Sequence, residues 1–151
     1  MQEKTLILIK PDGVCKSLIG EVIKRIEQNG FKIVALKMIK PEKKKIEEFY
    51  EPHKGKPFFP GLVEFMLTAP CVVMVAEGKN VIRRVRELIG ERVPGEARKG
   101  SIRGDFGSDG RRNIVHGSDS LESAKREISC FFPEEEIFFY TGRDWLNSEP
   151  G

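Results

Sequence analysis

Short apolar runs and segments with helical spacing alternate along the chain. Residues 5–9 and 71–76 are nearly unbroken apolar runs bounded by turn or polar residues, which is typical of buried β-strands. Residues 32–39 contain spaced apolar positions and predict a further strand, and residues 113–116 predict a short one. The sequence therefore predicts four strands.

Helices are predicted between these strands by apolar residues three and four positions apart. Residues 20–29 and 80–90 show this pattern, each with a glycine at or just after the end. A third helix is expected to run to about residue 131, with Ser118, Asp119 or Ser120 as its cap. Two short helices interrupted by the prolines of 57–60 form an inserted pair after the second strand.

Without the inserted pair the order is β-α-β-β-α-β. This is the ferredoxin-like order, in which a four-stranded antiparallel sheet carries helices on one face. We therefore expect an α+β fold with an inserted helical hairpin. No repeat or linker divides the chain, so residues 1–151 are expected to form a single domain.

The composition excludes several classes of protein. With 39% hydrophobic and 32% charged residues, the chain is not mostly disordered. Its apolar runs are far shorter than the roughly 20 residues that cross a membrane, and the strand-like start predicts no signal peptide. Lys and Arg number 26 against 23 Asp and Glu, a balance that argues against nucleic acid as the main partner. Three widely spaced cysteines predict neither disulfides nor a zinc site, and favour the reducing cytoplasm.

Residues 91–112 have neither helical nor strand periodicity. They contain five glycines and six basic residues: Arg92, Arg98, Lys99, Arg103, Arg111 and Arg112. Arginine forks match phosphate oxygens, so a phosphate-binding loop is one interpretation. A solvated flap agrees equally well with the composition.

His116 is the candidate reactive residue. It ends a predicted strand just before a helix, where free N–H groups favour an anion, and an imidazole is largely unprotonated near neutral pH. Glu127, about three helical turns onward, is placed to orient His116 or Ser118. A lone histidine is usually structural, and here the neighbouring Asn113 and Gly117 and the arginine-rich segment favour function.

These motifs together resemble those of the nucleoside diphosphate kinase family, over about residues 5–145. The matching stretches are TLILIKPDG (5–13), GEVIKRIEQNGF (20–31), KPFFPGLV (56–63), IRGDF (102–106), NIVHGSDS (113–120) and EIS (127–129).

The resemblance implies a ping-pong transfer of the γ-phosphate of a nucleoside triphosphate to a nucleoside diphosphate, which maintains nucleoside triphosphate pools. His116 would carry the phosphate as a phosphohistidine. Glu127 and Ser118 would steady the histidine. Lys10 would contact the phosphate and the ribose 3′-hydroxyl, which Asn113 would also reach.

The remaining nucleotide contacts follow from the same resemblance. Phe58 would stack on the base, Tyr50 would lie near the phosphoryl group and His53 near the inner phosphates. Arg86 and Arg103 would clamp the phosphates. Mg²⁺ would be held through the nucleotide phosphates rather than by a metal site of the protein. A stacking Phe tolerates any base, so we expect ATP, GTP and other nucleotides as substrates.

Two positions after the helix predicted at residues 80–90 concern phosphate binding and assembly. Arg92 stands where the family usually has a threonine that contacts a phosphate. Its long side chain can either swing outward or replace that contact with a charge-assisted one, and we expect the second. Pro94 is expected to stabilise the subunit contacts of a homo-oligomer. The resemblance implies a tetramer or a hexamer, cytoplasmic and without a membrane partner.

Three other classes of protein agree less well with the sequence. An RNA-binding module of the same fold needs a run of aromatic residues on the sheet, which the sequence lacks. The G-x-x-x-x-G-K-[ST] motif of P-loop kinases is also absent from it. A non-catalytic relative acting as a scaffold is opposed by the presence of His116 with its whole block.

Overall fold

The computed structural model describes residues 2–93 and 95–151. Pro94, with its expected role in assembly, lies outside the described residues. The strands are β1 (Gln2–Ile9), β2 (Lys32–Ile39), β3 (Cys71–Lys79) and β4 (Val115–Gly117). The helices are α1 (Pro11–Cys15), α2 (Ile19–Gln28), α3 (Lys43–Phe49), α4 (Phe59–Met66), α5 (Val81–Ile89), α6 (Ile102–Phe106) and α7 (Leu121–Phe131). Short 3₁₀ turns occupy Glu51–His53, Glu134–Glu136 and Asp144–Asn147.

The strands form one antiparallel sheet in the order β2-β3-β1-β4. β1 is central, with Leu6 opposite Val75 on β3 and Leu8 opposite His116 on β4. The predicted four-stranded sheet and its βαββαβ order are confirmed, with α3 and α4 as the inserted pair. In the described part of the chain no helix is both long and apolar enough to cross a membrane.

The two helices expected between the strands, α2 and α5, share one face of the sheet. The inserted α3 and α4 and the end of α7 cover the other face. Leu6 and Leu8 of β1 pack with α3, α4 and the end of α7. Ile7 and Ile9 point the other way and pack with α2, α5 and α6. Successive strand residues face opposite sides, so an unbroken apolar run requires burial on both sides.

Two helices replace segments that were predicted to be irregular. The turn residues that bound the apolar run of β1 lead into α1, where Pro11 supplies the φ angle of a first helical turn. α6 lies inside residues 91–112 and is capped by Ser101, whose hydroxyl accepts the N–H of Gly104 at 3.1 Å. Neither helix is long enough to show a helical period in the sequence.

The outer edge of β2 exposes apolar side chains. A bulge between Ile33 and Ala35 shifts the register, and Leu36 and Met38 are 50% and 57% exposed. The C-terminal segment runs past this strand, where the N–H of Phe138 donates to the carbonyl oxygen of Val34 at 2.9 Å. Phe139 and Trp145 of that segment are exposed as well.

Candidate active site

A cleft of about 1020 Å³ opens beside β4 and is lined by residues from eight parts of the chain. Every residue predicted to contact nucleotide lines it, together with the candidate nucleophile: Lys10, Tyr50, His53, Phe58, Arg86, Arg92, Arg103, Asn113 and His116. The arginine-rich segment borders the cleft through residues 92, 103 and 109–112. The sequence alone left a solvated flap equally open for this segment.

His116 is fixed by a carboxylate beneath it. Its Nε2 lies 2.9 Å from Oε1 of Glu127, and Ser118 Oγ donates to that same oxygen at 2.7 Å. The N–H of Leu6 donates to Ser118 Oγ at 3.1 Å, which ties the group to β1. Burial lowers the pKa of His116 and outweighs the opposing effect of Glu127. The imidazole is therefore neutral at physiological pH.

Glu127 reaches this position because α7 starts immediately after β4. Ser120 caps the helix by accepting the N–H of Ser123 at 3.0 Å. Two further turns bring Glu127 back over the strand, where its side chain is 7% exposed. A carboxylate buried this deeply needs hydrogen-bond donors, and His116 and Ser118 supply them.

Lys10 is a buried cation at the end of β1. Its Nζ donates to Asn113 Oδ1 at 2.8 Å and to the carbonyl oxygen of Arg111 at 3.3 Å. Burial and, to a smaller extent, the nearby Arg103 lower the pKa of Lys10 to about 7, while Asp12 opposes the shift. The ammonium thus lacks a full counter-charge and favours the approach of an anion.

The backbone before His116 is strained. Ile114 has φ of 76°, and the N–H of Val115 donates to the carbonyl oxygen of Asn113 at 2.9 Å, so Ile114 is the centre of a γ-turn. Asp12 Oδ2 accepts the N–H of Ile114 at 3.0 Å, and the carbonyl oxygen of Ile114 accepts the N–H of Lys10 at 2.8 Å. Such a conformation costs about 1–3 kcal/mol and persists because these contacts hold it. The role of Asp12 was not foreseen from its turn-like motif.

Two arginines place guanidinium groups near the histidine. Arg103 is 5% exposed and donates to the carbonyl oxygens of Val115 at 2.8 Å and Gly90 at 3.2 Å. Its Nε is buried and has no partner among the described residues, and burial lowers its pKa to about 10. Arg86 donates to the carbonyl oxygen of Gly117 at 3.1 Å.

Aromatic rings connect His116 to the other end of the cleft. Phe49 lies 4.8 Å from the His116 ring and 4.7 Å from Tyr50, measured between ring centroids. Tyr50 is 6.2 Å from His53, which is 5.4 Å from Phe58. The Tyr50 hydroxyl is buried without a partner among the described residues, and burial raises its pKa. The hydroxyl therefore stays protonated and available as a donor.

Arg92 lines the cleft and is held by backbone contacts. Its Nη1 donates to the carbonyl oxygen of Gly110 at 3.3 Å, and its own carbonyl oxygen accepts Asn113 Nδ2 at 2.8 Å. Its charge contributes to the lowered pKa values of Lys10 and Arg103. Arg92 thus belongs to the same electrostatic cluster as these two cations.

Several charged residues of the cleft had not been assigned a function. They are Lys56, Asp109, Arg111, Arg112 and Asp119. Their signals were the KPFF motif for Lys56 and the basic run for the two arginines, but neither signal says which side chains face a cleft. Asp109 is occupied by Arg112, whose Nε donates to its Oδ2 at 2.7 Å. In the part of the chain that the structure describes, no three His, Cys, Asp or Glu residues gather as a metal site.

Comparison with known proteins identifies the family. The profile described as "Nucleoside diphosphate kinase" matches residues 3–137. The chain belongs to the nucleoside diphosphate kinase family. A nucleoside diphosphate kinase of Archaeoglobus fulgidus is 50% identical over 97% of this chain and 99% of its own length. One from Methanocaldococcus jannaschii is 51% identical over 91% of this chain and 99% of its own length.

Solved structures of nucleoside diphosphate kinases share the fold. The Aquifex aeolicus enzyme has a TM-score of 0.89 and 47% identity, and covers 91% of this chain and all of its own. The Halobacterium salinarum enzyme, solved in complex with CDP, has a TM-score of 0.91 and 38% identity, and covers 99% of this chain and 100% of its own. The predicted α+β class and the predicted family are both confirmed. The activity is that of the family: the γ-phosphate of a nucleoside triphosphate passes to a nucleoside diphosphate in two half-reactions through a phosphohistidine.

Proposed function

We propose that His116 carries the phosphoryl group and that the residues around it divide the work as follows. The observation that supports this is the contact of His116 Nε2 with Glu127. It assigns the ring proton to Nε2 and leaves the lone pair on Nδ1 for attack. Ser118 shares the Glu127 carboxylate, so Glu127 and Ser118 are positioning residues for the nucleophile.

In the first half-reaction Nδ1 forms a bond to the γ-phosphorus as the bond to the bridging oxygen breaks. The electron pair stays on that oxygen, which becomes a terminal oxygen of the departing diphosphate. The imidazolium formed keeps its proton on Nε2, where Glu127 stabilises the positive charge. The second half-reaction reverses these steps with another diphosphate. No proton has to leave the protein in either half.

Lys10, Arg86 and Arg103 neutralise the phosphates. Phosphoryl transfer depends mainly on positioning and on stabilising charge. Arg103 Nε and the Tyr50 hydroxyl are buried donors without partners among the described residues, and phosphate oxygens would satisfy both. Arg92 adds a further cation to this group.

The base is assigned to Phe58, at the end of the ring series away from His116. The Phe58 ring is 45% exposed and can stack on a base. His53 lies between Phe58 and Tyr50 and is assigned to the inner phosphates. Asn113 and Lys10, which share a hydrogen bond, are assigned to the ribose 3′-hydroxyl. Stacking on a ring gives broad base tolerance, so ATP, GTP and the other nucleotides are substrates.

Mg²⁺ would enter with the nucleotide. The cleft is rich in cations, and Asp109 already pairs with Arg112, so the oxygen ligands that Mg²⁺ prefers would come from the phosphates. When bound there, the ion neutralises charge on the outer phosphates. The chain's own cations bind and orient those phosphates.

The chain would assemble as a tetramer or a hexamer in the cytoplasm. Leu36 and Met38 on β2 support assembly, because exposed apolar side chains on a strand at the edge of a sheet favour association. Maintenance of nucleoside triphosphate pools follows from the reaction.

The test is phosphoenzyme formation with γ-labelled ATP in the wild type and in His116→Ala. We expect an acid-labile, base-stable label in the wild type only, and no transfer by the variant, which keeps the same circular dichroism spectrum. Turnover by a folded His116→Ala protein would contradict the assignment.

A further inference from the structure

Arg111 has no part in the reaction described above, yet it lies across the cleft. Its carbonyl oxygen accepts Lys10 Nζ at 3.3 Å, on the wall formed by the segment before β4. Its guanidinium lies against another wall, the first turn of α4. A Cβ placed on Gly61 would stand 2.7 Å from Nη2 and 2.9 Å from Nη1. The side chain therefore reaches from one wall to the other.

Gly61 makes room for this guanidinium. It lies inside α4 with no positive φ, so the backbone does not require a glycine there. Glycine lowers helix stability by about 1 kcal/mol relative to alanine. Gly61 weakens the helix and its Cα packs against the Arg111 guanidinium. This combination indicates that the position of Arg111 is functional.

The charge of Arg111 is uncompensated, unlike that of its neighbour. Arg112 pairs with Asp109. Among the described residues no carboxylate lies within ion-pair distance of the Arg111 guanidinium, whose side chain lines the cleft and is exposed. A planar, weakly hydrated cation of this kind stacks well on aromatic faces.

The position of the guanidinium indicates which part of the nucleotide it meets. Phe58 immediately precedes α4 and is three residues before Gly61, so the two share one face of the first turn. A guanidinium packed on Gly61 therefore lies over the helix face that also carries Phe58, at the end of the cleft that the series of rings separates from His116.

We propose that Arg111 binds the nucleobase, with its guanidinium stacked on the face opposite the one that Phe58 covers. This inference rests on the proposed placement of the base at Phe58. A stacked cation gains more from the larger purine ring, so Arg111 makes the site favour purine over pyrimidine nucleotides. It does not distinguish adenine from guanine, since it meets the face of the ring and not its edge.

The test compares dissociation constants of ADP, GDP, CDP and inorganic triphosphate, at a salt concentration that screens long-range charge. Arg111→Ala should raise the dissociation constants of ADP and GDP alike by roughly five- to tenfold, and that of CDP by less. Inorganic triphosphate should change by less than about twofold. Arg83→Ala is the matched control, because Arg83 is 67% exposed and pairs with Glu87 on α5. The proposal would be overturned if inorganic triphosphate lost as much affinity as ADP, if only GDP lost affinity, or if no ligand did.

Gly61→Ala gives a second test that keeps Arg111 in place. Alanine favours the helix, and the atoms it displaces are the flexible end of a side chain, so the variant should fold. Gly61→Ala should weaken ADP binding as much as Arg111→Ala does, and the double variant should bind ADP no more weakly than either single variant. Additive losses would show that the two residues act separately.

Phe58→Ala separates this inference from the function on which it rests. If Phe58→Ala weakens ADP and Arg111→Ala does not, only the role of Arg111 is overturned. If neither change weakens ADP, the placement of the base is wrong as well. Labelling of His116 is independent of both outcomes.

Discussion

Lys10 and His116 are both titratable groups that burial holds toward their neutral forms. For His116 this state provides a free nucleophile at neutral pH. For Lys10, with a pKa of about 7, it means that the empty cleft is only partly charged. In the unfolded chain Lys10 keeps its proton up to about pH 10.5, whereas in the folded protein it loses the proton near pH 7. Lys10 therefore makes the free energy of unfolding increase as the pH rises from about 7 to 10.5.

Nucleotide binding should therefore add a proton to Lys10. An adjacent phosphate raises the pKa of a lysine, and near pH 8 the free cleft holds only a minor fraction of that proton. We expect ADP to take up close to one proton at this pH. Isothermal titration calorimetry in two buffers of different ionisation enthalpy measures it. Lys10→Arg, always charged, should abolish the uptake, and identical heats in both buffers for the wild type would contradict the prediction.

Arg92 should act on binding more than on the rate of transfer. The total charge of the nucleotide is the same in the ground state and the transition state, so a distributed cation stabilises both. Arg92→Thr should raise KM by roughly three- to tenfold, more at low salt, with little change in kcat. Arg83→Ala removes the same charge outside the cleft and serves as the control. Steady-state kinetics equal to the wild type at both salt concentrations would show that Arg92 makes no phosphate contact.

At the scale of elements, periodicity predicted the strands and the longer helices well. Residues 20–29 and 80–90 were predicted as helices, against Ile19–Gln28 and Val81–Ile89 in the structure. The signal was strong because each helix buries one apolar face. The runs at 5–9 and 71–76 lacked a polar face, which already required helices on both sides of the sheet.

The sequence did not predict the short elements or the directions of the side chains. α6 spans one and a half turns, so three-dimensional contacts rather than a repeat define it. The γ-turn at Ile114 contradicts the preference of a β-branched residue, and only tertiary contacts impose it. The motifs gave the residues of the site, whereas the path of Arg111 to Gly61 needed the packing of two distant segments.

α6 should be sensitive to a methyl group at Gly104. A Cβ there would overlap the carbonyl oxygen of Arg98, and backbone cannot yield as a flexible side chain does. Gly104→Ala should lower Tm by about 5 °C and reduce kcat, because Arg103 precedes it on the same turn. Thermal denaturation and turnover measure these effects. Gly142→Ala, where a Cβ meets no atom within 4 Å, should leave both unchanged.

At the scale of the whole molecule, the exposed edge of β2 should carry the assembly. Met38→Glu places a charge among the apolar side chains at this edge and should shift the sedimentation mass from an oligomer toward the 17.1 kDa monomer. Leu121→Glu, which changes a 44% exposed leucine on α7, is the control and should keep the oligomer. A mass unaffected by Met38→Glu would place the interface elsewhere.

β4 has a consequence for how the chain is made. The strand that completes the sheet beside β1 is three residues long and lies more than a hundred positions after its partner. On a ribosome adding about 5–20 residues per second, the outer edge of β1 waits on the order of 5–20 s for that partner. Throughout this time an apolar strand edge is open to other nascent chains. His116 lies in β4 and Asn113, the partner of Lys10, lies just before it. Synthesis of this one segment therefore provides both the nucleotide site and the strand that protects β1 from aggregation.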